Sequence, residues 1–294
     1  MKLAIFGQYF NENSKATIKT LLDILKEKNI SIFVEDSYFY SIKKESGYKF
    51  SKTNIQTFKV LDSSFDLLIS IGGDGTILRT ITYIRDLSIP VIGINTGRLG
   101  FLATIQENNI RQAIDAILNK NYKISERTLL SVSTSPENTD ILDFNVALNE
   151  ITVSRKNTTS MITIETSLNN EYLTSYWADG LIISTPTGST GYSLSCGGPV
   201  IMPDSENFVL TPIAPHNLNA RPLIIPDITE IKLKVTGRET NHLVSLDSRI
   251  ATLDNETNIT IKKAPFKIRM IELNNESFLK TLRKKLLWGE DKRN

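Results

Sequence analysis

The stretch Phe65-Asp66-Leu67-Leu68-Ile69-Ser70-Ile71-Gly72-Gly73-Asp74-Gly75-Thr76 decides the fold. An apolar run that stops abruptly at glycines reads as a strand buried on both faces, as in parallel sheets covered by helices. Beyond the glycines, Ile77, Ile81 and Ile84 trace one helical face. The loop therefore lies between the carboxyl edge of a strand and a helix N-terminus, where open α/β sheets bind their ligands. Free backbone N–H groups and the helix dipole favour anions there, and glycines let the backbone approach phosphate oxygens closely. Asp74 adds one carboxylate among these donors. Three roles fit it: a base, a holder of the metal that accompanies a nucleotide phosphate, or merely the N-cap of the following helix.

The alternation of strand and helix extends to both sides of this loop. Leu3 to Phe6 is a short buried strand, followed by a helix with Ile18, Leu21, Leu22 and Leu25 at i, i+3, i+4 and i+7. Ile30 to Val34 and Pro90 to Ile94 read as strands, and Ile110, Ala113, Ile114, Ile117 and Leu118 as an amphipathic helix. Residues 1–125 are thus expected to form an α/β domain. From about Ser125 period-two segments take over: Met161 to Glu165, Ile231 to Val235 and Ile259 to Ile261. Turn signals at Asn169-Asn170, Thr236-Gly237-Arg238 and Asp254-Asn255 separate them, which predicts a mainly antiparallel β domain over 126–275. Phe144 to Leu148 reads as a strand that ends at Asn149 and Glu150. Phe278, Leu279, Leu282 and Leu286 mark a terminal helix within 276–294, expected to pack back on the first domain.

The chain has 294 residues, enough for two domains sharing one site. Its 34 Lys and Arg against 32 Asp and Glu leave a formal charge of +2, which argues against nucleic acid or a membrane surface as partner. Cys196 is the single cysteine, so no intramolecular disulfide forms, as in a reducing compartment. The N-terminal apolar run is too short for a signal peptide's core, and no stretch approaches the ~18 apolar residues of a membrane span. The expected location is the cytoplasm. Neither Gly-x-x-x-x-Gly-Lys-Ser/Thr nor a strand followed by Gly-x-Gly-x-x-Gly is present, which disfavours a P-loop protein and a dinucleotide-fold dehydrogenase. His216 and His242 are the only histidines, and no metal-ligand spacing exists. Each reads as a structural or surface residue, and Cys196 as a small buried one.

A second cluster runs from Asp179-Gly180 through Leu181-Ile182-Ile183-Ser184 to Thr185-Pro186-Thr187-Gly188-Ser189-Thr190-Gly191-Tyr192-Ser193. Hydroxyls, backbone donors and a tyrosine face suit sugar hydroxyls and an adenine ring, although a Ser/Thr-rich connection between strands has the same look. Gly197-Gly198-Pro199 continues the loop-rich design.

With Asn95-Thr96-Gly97-Arg98-Leu99-Gly100-Phe101-Leu102, Asn149-Glu150 and Pro215-His216-Asn217-Leu218-Asn219-Ala220-Arg221-Pro222, these segments form an ordered set. In that set the chain resembles the NAD kinases, which phosphorylate NAD to NADP. The resemblance implies an α/β first domain, a β-sandwich-like second domain, a site between them, and a homodimer or homotetramer. It implies ATP or another phosphoryl donor, and a divalent cation, Mg²⁺, for which no dedicated ligand set is visible. Asp74 becomes the catalytic residue. Asp74, Gly75, Arg79, Asn149, Glu150, Asp179, Thr190, Gly191, Tyr192, Ser193, Leu194, Ser195 and Ala214 become the nucleotide-binding residues. One departure stands out: Asp247-Ser248 replaces the Asp-Gly of many relatives in a late strand turn. Two rivals remain at this point, a lipid kinase sharing the glycine-aspartate loop and a nucleotide-binding regulator without catalysis.

Overall fold

Leu67–Ile71 forms a strand in which every residue is buried, as its uniform apolar run requires. The computed structural model describes residues 1–10, 12–45, 55–157 and 160–287. They divide into two units: Met1–Glu126 with the chain from Ile268 onward, and Arg127–Lys267.

The first unit opens with β1 (Lys2–Gly7), α1 (Glu12–Glu27), β2 (Ser31–Glu35), α2 (Asp36–Glu45) and β3 (Ile55–Phe58). It continues with β4 (Leu67–Ile71), α3 (Asp74–Ile84), β5 (Val91–Ile94) and α4 (Ile110–Leu118). The strands lie in the order β5-β4-β1-β2-β3, all parallel. The chain therefore winds outward from β1 in one direction and resumes on its other side at β4. The β1/β4 junction is the switch point at which such sheets bind ligands, and the glycine loop follows β4 directly. Helix faces were set by periodicity: α3 buries Ile77, Ile81 and Ile84, and α4 buries Ile110, Ala113, Ile114 and Ile117. Leu118 is left at the surface. The elements α2 and β3 carry weaker patterns. Among its residues α2 buries only Tyr38 and Ile42, and β3 is an edge strand with two exposed residues at its centre.

In the second unit, entered through β6 (Tyr122–Ser135), come α5 (Thr139–Leu142), β7 (Val146–Ala147), β8 (Glu150–Arg155), β9 (Ile162–Leu168) and β10 (Glu171–Ala178). Then follow β11 (Gly180–Ser184), α6 (Tyr192–Ser195), β12 (Asn207–Ile213), β13 (Leu223–Pro226), β14 (Ile231–Gly237), β15 (Asn241–Leu246), β16 (Arg249–Asp254) and β17 (Asn258–Leu273). Two antiparallel arrays result, β10-β9-β14-β17 and β13-β12-β11-β8-β15-β16. Ile164, Leu233, Val235 and Ile261 of one array share a core with Val153, Leu181, Ile183, Phe208 and Val244 of the other. This is a sandwich built on alternating inward residues. Asn169 and Asn170 both take positive φ, 50° and 68°, and join β9 to β10 as a type I′ turn requires. The expected strand Phe144 to Leu148 is a correction: β7 spans only Val146–Ala147, and Glu150 opens β8 instead of following a strand.

The end of β17 belongs to the first unit, where Met270 pairs in parallel with Val91 of β5. Beyond it, α7 (Phe278–Leu286) is capped by the Ser277 hydroxyl, which accepts the Lys280 N–H. Its Phe278 ring lies 6.1 Å from that of Phe101. Residues 288–294 of the expected terminal helix lie outside the described residues. No helix among the described residues is long and apolar enough to cross a membrane.

Candidate functional site

Gly73 caps α3 without any side-chain bond, and Asp74 is the first residue of the helix. The N-cap reading of Asp74 is therefore excluded. Its carboxylate reaches instead to the loop after β5. Oδ2 accepts the Phe101 N–H at 2.8 Å, and Oδ1 accepts the N–H groups of Leu102 and Ala103, each at 3.0 Å. Asn95 organises the same loop: its Nδ2 donates to the Arg98 and Ala103 carbonyls, and its Oδ1 accepts the Gly97 N–H. A side chain at Gly100 would force this carboxylate to move, since an added Cβ would sit 1.9 Å from Asp74 Oδ1. A Cβ at Gly73 or Gly75 would meet no protein atom within 4 Å. Those two glycines answer no packing need, and leave the backbone open to a ligand's close approach. A carboxylate has about four acceptor positions. Three are taken, and the remaining one lies on Oδ2. Arg79 is exposed on α3, one turn beyond Gly75.

In the second unit Asn149 links β7 to β8, and Glu150 is only 8% exposed. Asn149 Oδ1 and Glu150 Oε2 are both buried without a hydrogen-bond partner. Both side chains abut Gly191: an added Cβ there would lie 3.2 Å from Glu150 Oε2 and 3.3 Å from Asn149 Nδ2. Burial pushes the Glu150 carboxyl up to about 8, the Asp247 carboxylate adds to the rise, and the Tyr192 backbone N–H opposes it. At neutral pH this side chain is mainly an acid with a proton to donate. A buried polar atom left unpaired costs about 1–3 kcal/mol. Two on adjacent residues leave hydrogen-bonding capacity open to a polar ligand or to water.

The run from Thr187 to Ser195 is not a loop but a 3-10 turn, Thr187–Thr190, followed by α6. Most of its hydroxyls serve the protein itself. Ser189 Oγ donates to the Pro186 carbonyl and Ser193 Oγ pairs with Thr211 Oγ1 at 2.8 Å, while just before the run Thr185 Oγ1 donates to the Leu148 carbonyl. Thr190, half-buried, donates to the Thr187 carbonyl. Ser193 is fully buried, whereas Leu194 is half-buried and Tyr192 and Ser195 are exposed. Tyr192 is thus no core residue. Cys196 is half-buried, a correction to its expected burial. Burial raises its thiol, and the neighbouring Tyr192 side chain acts the other way. Asp179 pairs with Arg155 at 3.0 Å. Ala214 holds a left-handed φ of 43°, a conformation that L side chains avoid and functional sites retain. His242 is buried against Asn255, and exposed His216 lies 4.9 Å from the Trp177 ring.

Sequence reasoning missed the parts that act at long range. Asn95 and Gly100 were visible only as motif letters, and Asp247 only as a departure. Asp247 in fact accepts the N–H groups of Leu148, Asn149 and Glu150. No group of three or more His, Cys, Asp or Glu placed to hold a metal exists among the described residues.

Residues 3–122 match the model of the ATP-NAD kinase N-terminal domain, and residues 148–273 that of the ATP-NAD kinase C-terminal domain. The chain is 58% identical to the NAD kinase of Christiangramia forsetii and 59% identical to that of Flavobacterium psychrophilum, in both cases over the whole of each chain. Its fold is similar to that of yeast NADH kinase complexed with NADH, with a TM-score of 0.86 at 22% identity, covering 99% of this chain and 89% of the other. An NAD kinase from Archaeoglobus fulgidus in complex with ATP gives a TM-score of 0.73 at 25% identity, with 97% of each chain covered. With an α/β unit, a mainly antiparallel β unit and relatives this similar over their full length, the chain belongs to the NAD kinase family.

Proposed function

We propose that this chain transfers the γ-phosphoryl group of ATP, or of another phosphoryl donor, to the 2′-hydroxyl of the adenosine ribose of NAD, giving NADP. The carrying observation is the Asp74 carboxylate, fixed by three backbone N–H groups beside two glycines that leave their surroundings open. In this reading Oδ2 of Asp74 takes the proton of the 2′-hydroxyl. The ribose oxygen attacks the γ-phosphorus, the bond to the β-phosphate oxygen breaks, and ADP leaves. Such transfers depend on positioning and charge stabilisation more than on covalent catalysis. The Gly75 amide and the exposed Arg79 face phosphate. Asn149, Glu150, Asp179 and the segment from Thr190 through Gly191, Tyr192, Ser193 and Leu194 to Ser195 hold the dinucleotide, with Ala214 contributing backbone. Because the Ser193 hydroxyl is engaged with Thr211, Ser193 acts through its backbone. Tyr192 offers its ring as a stacking face.

Mg²⁺ would enter with the triphosphate donor, and no residue of this chain is assigned as its ligand, because the one open acceptor position of Asp74 is the one that takes the proton. The working form is a homodimer or homotetramer in the cytoplasm. Light scattering during turnover tests the assembly, and a fully active monomer would refute it. A coupled assay for NADP tests the activity, with product NMR and a 2′-deoxy NAD analogue testing the position. Phosphate on the 3′-oxygen, or turnover of the 2′-deoxy analogue, would overturn the assigned geometry. Phosphorylation of a diacylglycerol-like lipid in place of NAD would favour the lipid-kinase alternative.

A further inference from the structure

β15 and β16 are joined by the two-residue turn Asp247-Ser248, with Leu246 paired to Arg249. Asp247 takes a left-handed φ of 52°, which aspartate tolerates better than most side chains. The turn grips a distant segment. Asp247 Oδ2 accepts the Leu148 N–H at 3.0 Å, and Oδ1 accepts those of Asn149 and Glu150 at 2.8 and 3.2 Å. The Asp247 N–H donates in return to the Glu150 carbonyl. Two residues on, the Arg249 guanidinium donates to the carbonyls of Phe144 and Val146 and lies over the Phe144 ring at 5.0 Å. On the opposite side the Asn149 carbonyl accepts the Thr185 N–H at 2.9 Å. An added Cβ at Gly188 would lie 2.1 Å from that oxygen.

The hairpin itself needs none of this, because a two-residue turn closes without a carboxylate. What needs the carboxylate is the junction at residues 148–150, whose three successive N–H groups require an acceptor with several lone pairs. Burial drives the Asp247 carboxyl upward, and the three N–H groups and Arg249 hold it back. A carboxyl group stands at this position although a neutral side chain would satisfy the turn. The residues it fixes are the two whose side-chain oxygens stand buried and unpaired beside Gly191.

We propose that the Asp247-Ser248-Arg249 turn is a positioning element for the reaction: Asp247 holds the backbone of Asn149 and Glu150, and Arg249 holds the Phe144 and Val146 carbonyls of the segment leading into them, so that the Asn149 and Glu150 side chains meet the dinucleotide. The inference rests on the reading that Asn149 and Glu150 contact NAD. Asp247→Asn keeps a side chain that tolerates the left-handed turn but turns an NH₂ group towards backbone donors. Expected for the folded variant is a KM for NAD raised ~10-fold or more, with kcat and the KM for ATP changed less than ~3-fold, the pattern of lost uniform binding. Arg249→Lys, which cannot grip both carbonyls with one planar fork, should raise the KM for NAD in the same direction by less. Asn149→Ala separates the two ideas. If it leaves the KM for NAD unchanged, the contact reading fails. If it raises that KM while Asp247→Asn and Arg249→Lys lower only the melting temperature, the turn is merely structural and the proposal is overturned. Should Asp247→Asn not fold, Arg249→Lys alone decides between these outcomes.

Discussion

Asp74 in the first unit and Asp247 in the second each receive three consecutive backbone N–H groups, from residues 101–103 and 148–150. Each carboxylate is held by a segment remote in sequence, so each is rigid for the same reason. Their surroundings differ. Asp74 lies between glycines where an added side chain meets nothing, and its spare acceptor position is the only one not taken by protein. Asp247 is flanked by Arg249 and sits close enough to Glu150 to raise that carboxyl. Identical anchoring thus produces a carboxylate aimed outward in one unit and a bracket aimed at its neighbours in the other. Hydrogen-bond count fixes a side chain; what faces its last lone pair decides its chemistry.

The largest test of the contrast is Asp74→Asn, which should lower turnover by at least ~10²-fold, the scale of a lost general base, while NAD still binds. Turnover near the native value in the coupled assay would leave Asp74 as an anchor no different from Asp247. Next is Gly100→Ala. Its methyl group would fall where Asp74 Oδ1 now lies, so the carboxylate must move, and kcat should fall by ~10- to 10²-fold with NAD binding little altered. An unchanged kcat would show that the loop yields without disturbing the base. Gly75→Ala should separate stability from activity. The residue is helical with free space at its Cβ, so alanine should raise stability by about 0.5–1 kcal/mol. The same methyl would stand in the way of phosphate, raising the KM for ATP several-fold. Gains in both would mean that no ligand approaches that amide.

The smallest effect on turnover is expected from Glu150→Gln. Because Glu150 is mainly protonated at neutral pH, a neutral isostere should change the KM for NAD by only about twofold at pH 7. Its signature is in stability. A carboxyl raised from 4.5 to about 8 on folding binds its proton more tightly in the folded state. Its penalty is therefore absent below the unfolded value and grows as pH rises towards 8. Melting temperatures of the native protein should fall across that window more steeply than those of the variant. Parallel curves would place the titration elsewhere.

Both architectures were legible because burial left strong patterns. The run from Leu67 to Ile71 and the faces of α3 and α4 could be read one residue at a time. Helix α2 could not, since two buried residues four apart carry no periodicity, nor could β3, an edge strand with little to bury. Glu150 was placed after the end of a strand, whereas it opens β8. The hydroxyls of Ser189 and Ser193 looked like ligand groups, because a sequence does not show which donors the fold will consume. The grip of Asp247 on residues nearly a hundred positions away has no local signal at all.

Gly100 carries a consequence for how relatives of this protein are interpreted. Its α-hydrogen lies where any side chain would displace the Asp74 carboxylate. The two positions are therefore tied during divergence: a lineage can replace this glycine only by giving up the carboxylate's placement. A homologue that keeps Gly-Gly-Asp-Gly-Thr but carries any larger residue at the position of Gly100 is expected to bind nucleotide without turning it over. Inactive descendants are then expected to be recognisable at the position of Gly100, before Asp74 itself has changed.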